Sequence, residues 1–212
     1  MNKLQADLVL LVVTLAAAAG WLFSKSSLTE LQPFWFIGIR FILAGLVLAL
    51  FCFKDLIRLK KQDLAKGLFT GVLFALAMMT WIHGLDQSEH VGEASFIVSL
   101  GVMFVPFFSF FLLKEKLRLN MLVSLPVGIA GLAALNLQSG LSHGLQWQPS
   151  QLILLSAAIC FALQFTVTTG FAKSIAALPL TTLQLLTAGI IAFISALFIE
   201  KTPHNVSTIV II

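Results

Sequence analysis

Long apolar runs alternate with short polar stretches along the 212 residues of this chain. A helix needs about 20 residues to cross the hydrocarbon core of a bilayer, and seven of the runs come near that length. They cover residues 8–23, 34–53, 67–85, 94–113, 121–135, 151–171 and 181–199, and a last apolar stretch covers residues 206–212. Lipid offers no partner to backbone N–H and C=O groups, so each run is predicted to be an α-helix. The predicted fold class is an all-α, polytopic transmembrane helical bundle of about seven spans.

The composition favours a membrane protein over a soluble one. Hydrophobic residues make up 59% of the chain and charged residues 10%, with a mean hydropathy of +1.02, whereas soluble domains carry roughly 25% charged residues. The net charge of +4 would suit nucleic acid, but the basic residues lie at the ends of the apolar runs, so no nucleic-acid partner is expected. Cys52 and Cys160 both fall inside apolar runs, which favours packing over a disulfide or a metal site.

The positions of lysine and arginine predict the orientation in the membrane. If the N-terminus is cytoplasmic, ten of the 13 basic residues lie on the inner side: Lys3, Lys54, Arg58, Lys60, Lys61, Lys66, Lys114, Lys116, Arg118 and Lys173. Lys25 and Lys201 then lie on the outer side, and Arg40 lies within the second run. Cytoplasmic loops carry an excess of lysine and arginine. We therefore expect a multi-pass protein of the cytoplasmic membrane with its N-terminus inside.

Small residues recur every four positions in three of the runs. They are Gly67, Gly71 and Ala75 in the third run, Ser156 and Cys160 in the sixth, and Ala188, Ala192 and Ala196 in the seventh. Small residues at this spacing let membrane helices approach closely. These positions are therefore predicted to be helix contacts.

The tryptophans share one position relative to the membrane. Trp21, Trp35, Trp81 and Trp147 all fall near the outer interface in the predicted topology. Tryptophan prefers the headgroup level, so an interfacial belt is the favoured interpretation. A solute gate lined by indole rings is the alternative.

Two stretches of the chain are similar to each other. The first contains Phe23-Ser24-Lys25, Pro33, Arg40 and Ala44-Gly45, and the second contains Phe171-Ala172-Lys173, Pro179, Gln184 and Ala188-Gly189. In each, a polar residue lies four positions before Ala-Gly. The copies occupy runs one and two and runs six and seven, so they are five helices apart and would have opposite orientations in the membrane. Inverted repeats of this kind are a common architecture of secondary transporters.

A further pattern covers the fourth and fifth runs. The fourth extends from Glu93-Ala-Ser-Phe through Pro106 to Lys114-Glu115, and the fifth contains Pro126, Gly128 and Gly131. Together with Arg40 in the second run, these features resemble the drug/metabolite transporter superfamily, in its EamA-type branch. The resemblance implies ten helices in two inverted five-helix repeats. Residues 1–139 would form the first repeat and residues 140–212 a partial second one, with about two helices and the start of a third, as in a member shortened at its C-terminus.

The same resemblance implies a function. It is that of a secondary transporter or exporter, which moves a small organic solute such as an amino acid or another metabolite across the cytoplasmic membrane by alternating access. No cofactor and no metal are implied, and the expected partners are the solute and the lipid bilayer. The short second half leaves an alternative open: a non-transporting protein, or a half-transporter that needs a second copy or a partner half. An enzyme is not expected, because the sequence has no HExxH motif and no paired aspartates inside the runs.

Arg40 is the one clear charge inside an apolar run. Arginine at the bilayer centre costs at least ~2.5 kcal/mol on insertion scales. It lies seven residues past Pro33, or roughly 10 Å along a helix. Two interpretations stay open: the side chain reaches outward to the headgroups, or it faces a central cavity. In a cavity it would suit a solute with a carboxylate, which guanidinium binds in a bidentate manner.

The other candidates for the solute pathway are polar or aromatic residues: Gln164, Gln184, Ser99, Trp81 and His83. The two glutamines are favoured because a buried amide needs several hydrogen-bond partners. Pro106 is predicted to kink the fourth run and is the candidate hinge. We expect runs one to four and six to line a central cavity in which Arg40 and the glutamines hold the solute.

Overall fold

The computed structural model describes residues 3–28, 31–89, 91–114, 126, 127, 130 and 148–200. Seven helices are defined there: α1 (Lys3–Ser27), α2 (Pro33–Ile57), α3 (Lys61–Gln87), α4 (Val91–Ser99), α5 (Gly101–Leu113), α6 (Pro149–Phe171) and α7 (Ala177–Ile199). Because α4 and α5 form one span, Val91–Leu113, the described residues contain six spans long and apolar enough to cross a membrane. The predicted all-α polytopic bundle is confirmed.

Two predicted segments lie outside this description. Of the fifth run, residues 121–135, only residues 126, 127 and 130 are described, and residues 206–212 are not. Both segments remain predictions. Elsewhere the helices extend beyond the apolar runs, as at Lys61, where α3 begins six residues before its run. Polar residues at the membrane surface can continue a helix, so hydropathy alone placed that boundary too late.

The surface of the bundle is strongly apolar. Leu50 and Phe51 on α2 are each 80% exposed, and Phe198 on α7 is 85% exposed. A large apolar side chain left in water forfeits about 1.5–3 kcal/mol of transfer free energy. Lipid contact removes this penalty, so the exposed apolar faces agree with a multi-pass membrane protein.

The helices α2 and α7 cross in antiparallel directions at glycines. A Cβ atom on Gly45 would lie 2.7 Å from Leu186 Cδ2, and one on Gly189 would lie 2.7 Å from the backbone nitrogen of Ile42. Without side chains at these two positions, the helices approach closely. The contacts are reciprocal, since each glycine faces the residue three positions before the other glycine.

The helix α3 packs along α7 and α6. A Cβ on Gly71 would lie 2.5 Å from Thr187 Cβ on α7, and one on Gly84 would lie 2.9 Å from Leu154 on α6. The predicted small-residue contacts are therefore confirmed on α3. They are also confirmed on α7, where three alanines are fully buried: Ala188, Ala192 and Ala196.

On α6 the predicted small-residue contact is wrong. Ser156 is exposed and Cys160 is only half-buried. The fully buried alanines of this helix are Ala157, Ala158 and Ala162. The reason is that α6 packs against both α3 and α5, so the buried face includes Ala158, which the spacing rule did not select.

The fourth predicted run is interrupted at Leu100. The backbone there makes a short 3₁₀-type bond, in which Met103 N–H donates to Leu100 C=O at 2.9 Å. Next to it, a Cβ on Gly101 would lie 2.8 Å from the carbonyl oxygen of Ala158 on α6. The predicted site of irregularity, Pro106, lies inside α5, which continues past it to Leu113. The helix break is thus at the close contact with α6 and not at the proline.

The α2–α7 crossing can be tested by adding one methyl group. We expect Gly189→Ala to lower the melting temperature in detergent by several degrees, because the new Cβ would overlap the backbone of Ile42 and overpacking costs about 1–3 kcal/mol. Gly92→Ala is the matched control, since nothing lies within 4 Å of a Cβ there. Equal melting temperatures for the two variants would contradict the close crossing.

Candidate functional site

A cavity of about 410 Å³ lies among α1, α2, α3, the α4–α5 span and α6. These are the spans that the sequence predicts to line a cavity. The residues from α1 are mostly small or polar: Ala16, Ala17, Gly20, Trp21 and Ser24. The volume falls in the range of roughly 300–1,000 Å³ found for small-molecule sites. The cavity can therefore hold a small organic molecule.

Arg40 lines this cavity and is tied to α1. Its Nη1 donates to Ser24 Oγ at 3.2 Å, and Ser24 Oγ in turn donates to the carbonyl of Gly20 at 2.6 Å. The guanidinium carbon lies 5.7 Å from the centre of the Phe36 ring. Of the two interpretations left open by the sequence, the cavity-facing one is therefore the observed geometry.

The charge of Arg40 has no counter-ion in the described part of the chain. The ion pair found there joins Lys66 to Asp63, at 3.1 Å. None of the residues that line the cavity is acidic. A guanidinium has five N–H donors, and Ser24 occupies one of them. The cavity therefore offers a positive charge with free donors, which suits an anion.

Aromatic rings form much of the remaining wall. Trp21 and Trp81 meet edge to face with their ring centres 4.9 Å apart, and Phe161 stacks on Phe165 at 6.2 Å. All four residues line the cavity. A ligand that fits here would carry an apolar or aromatic body beside its charge.

The interfacial-belt interpretation of the tryptophans is wrong for two of them. Trp35 is 8% exposed and Trp81 is 7% exposed, and Trp35 packs on Phe193 with ring centres 5.0 Å apart. Both indoles therefore pack inside the bundle and not against lipid. Trp147 lies outside the described residues.

One end of the bundle is held by charges at helix termini. Lys25 Nζ, at the end of α1, donates to the carbonyls of Leu85, Asp86 and Ser88 at 2.8, 3.0 and 2.6 Å. These carbonyls lie at the end of α3, where a cation is favourable. We call this the Lys25 end. Since α1 is the least buried of the described spans, this anchor fixes the wall of the cavity that α1 provides.

At the start of α2, a carboxylate accepts hydrogen bonds from backbone N–H groups. The two oxygens of Glu200 accept the backbone N–H groups of Phe34 and Trp35 at 2.8 and 3.0 Å. Burial raises the pKa of Glu200, while these two hydrogen bonds lower it by less; the charge of Asp86 also raises it and that of His83 lowers it. Glu200 thus joins the end of α7 to the start of α2.

A third contact at the Lys25 end joins α4 to α6. Gln151 Nε2 donates to Glu93 Oε1 at 2.5 Å. Both residues lie in the first turn of their helices. The spans α4–α5 and α6 therefore start at the same end of the bundle and run parallel.

Of the other predicted site residues, two line the cavity and two do not. Ser99 and Trp81 line the cavity, although the Ser99 hydroxyl donates to the Phe96 carbonyl at 2.6 Å. His83 is exposed at the Lys25 end, within 3.0 Å of the Gln87 amide nitrogen, and is not a lining residue. Pro106 is also not a lining residue.

The two glutamines meet each other at a separate place. Thr168 Oγ1 accepts hydrogen bonds from Gln164 Nε2 at 3.0 Å and from Gln184 Nε2 at 2.8 Å. Neither glutamine lines the cavity. Contrary to the prediction, Arg40 and the two glutamines do not share one cavity in this structure.

Sequence reasoning missed several residues that build the site. Ser24, the acceptor for Arg40, was noticed only as part of the internal similarity. Phe161 and Phe165 could not be separated from the other phenylalanines, of which the chain has 19. Glu200 follows directly after an apolar run, where an acidic residue is an ordinary span end. Its role depends on the return of α7 to α2, which local patterns do not reveal.

The helical bundle and its cavity define a class: a multi-pass membrane protein with an internal cavity large enough for a small molecule. The chain belongs to the EamA-like transporter family, whose model matches residues 4–137. The resemblance to EamA-type permeases is thereby confirmed.

Two similar proteins extend this comparison. The chain is 29% identical over 170 residues to the "Uncharacterized transporter YetK" of Bacillus subtilis (strain 168). The matched region covers 74% of this chain and 49% of that protein. This chain therefore spans about half the length of that relative. A solved crystal structure of a protein matches with a TM-score of 0.58 and 19% identity, over 89% of this chain and 66% of that one. At that identity the match concerns the fold alone.

The buried position of Glu200 predicts a pH dependence. A carboxyl with a raised pKa binds its proton more tightly in the folded state, so the free energy of unfolding falls as pH rises from the ordinary glutamate value of about 4.3 through the raised one. Glu200→Gln has no such proton. The melting temperature of Glu200→Gln minus that of the wild type is therefore expected to increase with pH over this window.

Exposed Glu89 provides the control for this measurement. The substitution Glu89→Gln makes the same carboxylate-to-amide change at a position that does not contact the start of α2. We expect Glu89→Gln to follow the pH profile of the wild type. A difference between Glu200→Gln and the wild type that stays constant with pH would contradict the burial effect.

Proposed function

We propose that this protein is a secondary transporter that moves a small organic anion by alternating access, with Arg40 as the contact for the carboxylate. The observation that supports this most directly is the cavity itself. It holds one guanidinium, no acidic lining residue and an aromatic wall. A solute with a carboxylate and an apolar or aromatic body complements all three features.

Alternating access requires helices that can change their packing around a fixed site. Two features favour such movement here. The break at Leu100 lies in the cavity wall, between the lining residues Ser99 and Gly101. The helix α1 is the least buried described span, and its Lys25 contact with α3 at one end would serve as the pivot for its movement. We propose that α1 and the α4–α5 span move relative to α2, α3 and α7.

The organisation and orientation are part of the same proposal. We assign residues 1–139 to a first inverted repeat and residues 140–212 to a partial second one. We place the N-terminus on the cytoplasmic side of the cytoplasmic membrane, because ten of the 13 lysines and arginines then lie inside. The role is that of a permease and not of an enzyme.

A second possibility has its own support. The chain spans about half of the YetK relative, so the solute path could be completed by a second copy or by another half. The mass of the active species, measured in detergent and after reconstitution, distinguishes these cases. A transporting monomer would exclude the need for a partner half.

The role of Arg40 can be tested with 3-phenylpropionate, which has one carboxylate and one aromatic ring. The purified full chain is reconstituted in proteoliposomes and uptake of the labelled probe is measured. Charge-assisted hydrogen bonds contribute about 1.5–3 kcal/mol, so Arg40→Gln is expected to raise KM by about 10- to 100-fold. Arg40→Lys, which keeps the charge but loses the bidentate geometry, should lie in between.

Arg58→Gln is the matched control for this experiment. Arg58 is exposed just after the end of α2 and does not line the cavity. Its substitution removes the same guanidinium and should leave KM unchanged. If Arg40→Gln transports the probe as well as Arg58→Gln does, Arg40 is not the carboxylate contact.

A further inference from the structure

Three buried polar side-chain atoms have no hydrogen-bond partner among the described residues: Nε1 of Trp35, Nε1 of Trp81 and Oε1 of Gln164. Of these three residues, only Trp81 lines the cavity. A buried indole N–H usually finds an acceptor, because leaving it without one is unfavourable. The unpaired N–H of Trp81 therefore points to a ligand that carries a hydrogen-bond acceptor.

The hydroxyl groups of the cavity wall are already engaged. The Ser24 and Ser99 hydroxyls each donate to a backbone carbonyl of their own helix at 2.6 Å. Trp21, the other indole of the wall, is only half-buried, and its N–H is not among the buried atoms without a partner. The buried donors left for a ligand are therefore the guanidinium of Arg40 and the indole N–H of Trp81.

Ring contacts between the antiparallel helices α2 and α3 give the depth of Trp81 in the bundle. The rings of Phe34 and His83 have their centres 6.4 Å apart, and Phe41 stacks on Phe74 at 5.4 Å. Trp81 is two residues from His83, on the side toward Phe74. These pairs therefore put Trp81 level with the first turn of α2.

The guanidinium of Arg40 lies at the same depth. Its carbon is 5.7 Å from the ring centre of Phe36 in that first turn, since the side chain runs back toward the start of α2. Both groups also contact one turn of α1. Arg40 Nη1 lies 3.2 Å from Ser24 Oγ, and the Trp81 ring centre lies 4.9 Å from that of Trp21. The two donors therefore border the same part of the cavity.

We propose that the indole N–H of Trp81 is a second donor to the carboxylate of the solute, next to the guanidinium of Arg40. This rests on the proposed function, which assigns the carboxylate to Arg40. A carboxylate has about four acceptor positions on its two oxygens, and a bidentate guanidinium occupies two of them. Inside a cavity with engaged hydroxyls, the indole supplies a further donor to the same group.

The Trp81 ring must turn for this contact to form. Its Nε1 is covered in this structure, and the ring stands edge to face against Trp21. The turned ring is favourable when a carboxylate is bound, because both the buried N–H and the carboxylate oxygen then gain a partner. Hydrogen bonds to charged acceptors are stronger than those to neutral ones. Trp81 thus selects a carboxylate over a neutral head group of the same size.

The test compares two probes with the same ring and chain, 3-phenylpropionate and the neutral 3-phenylpropionamide. Their dissociation constants for the purified full chain in detergent are measured by equilibrium dialysis. In Trp81→Phe we expect 3-phenylpropionate to bind about 30-fold more weakly and the amide about threefold more weakly, so the preference for the carboxylate falls about tenfold. Trp35→Phe is the matched control. It also removes a buried, unpaired N–H, but outside the cavity, and should keep the preference.

Each other outcome has a definite meaning. An equal loss for both probes in Trp81→Phe would leave the indole a packing role only and overturn the second donor, as would an equal fall of the preference in Trp35→Phe. If Trp81→Phe does not fold, replacing the indole by benzothiophene keeps the ring shape without the N–H and repeats the test. Arg40→Gln tests the proposed function separately. If it lowers the preference while Trp81→Phe does not, the proposed function stands alone; if neither probe binds the wild type, both proposals fail.

Discussion

The close crossing of α2 and α7 is the contact on which the rest of the bundle depends. In lipid, apolar surface gives helices little reason to associate, so association depends on close packing and polar contacts. Gly45 and Gly189 supply that packing, with a Cβ at either position overlapping the opposite helix. The crossing also brings the end of α7 to the start of α2, where Glu200 accepts two backbone N–H groups. The α2 helix so positioned then directs Arg40 toward α1.

This helix arrangement produces a cavity that has a charged side and an aromatic side. Arg40 contacts a serine on the least buried helix, while the opposite wall consists of aromatic rings from α6. A guanidinium with four donors left over is expensive to keep in a dry interior. It is tolerable in a cavity that water or an anion can enter, which explains why the charge sits at the cavity and not at a helix contact.

The spans and the fold class could be predicted from the sequence, whereas most contacts between helices could not. The spans and the fold class follow from apolar runs such as residues 34–53, because lipid imposes helices on them. Arg40 stood out for the same reason, as a charge where charges are costly. The break at Leu100 could not be predicted, since it arises where Gly101 meets the Ala158 carbonyl, a contact 57 residues apart in the chain. The roles of Glu200 and Lys25 were hidden in the same way, because each depends on a helix that is distant in sequence.

The reciprocal glycine contacts have a consequence for biosynthesis. Gly45 emerges from the ribosome 144 residues before Gly189, its counterpart in the crossing. At about 5–20 residues per second, α2 must wait roughly 7–29 s in the membrane for α7. During that interval α7 is not yet present to cover its glycine face. The nascent chain therefore passes through a partly assembled stage whose uncovered surface is the future centre of the bundle, and membrane chaperones would find their target there.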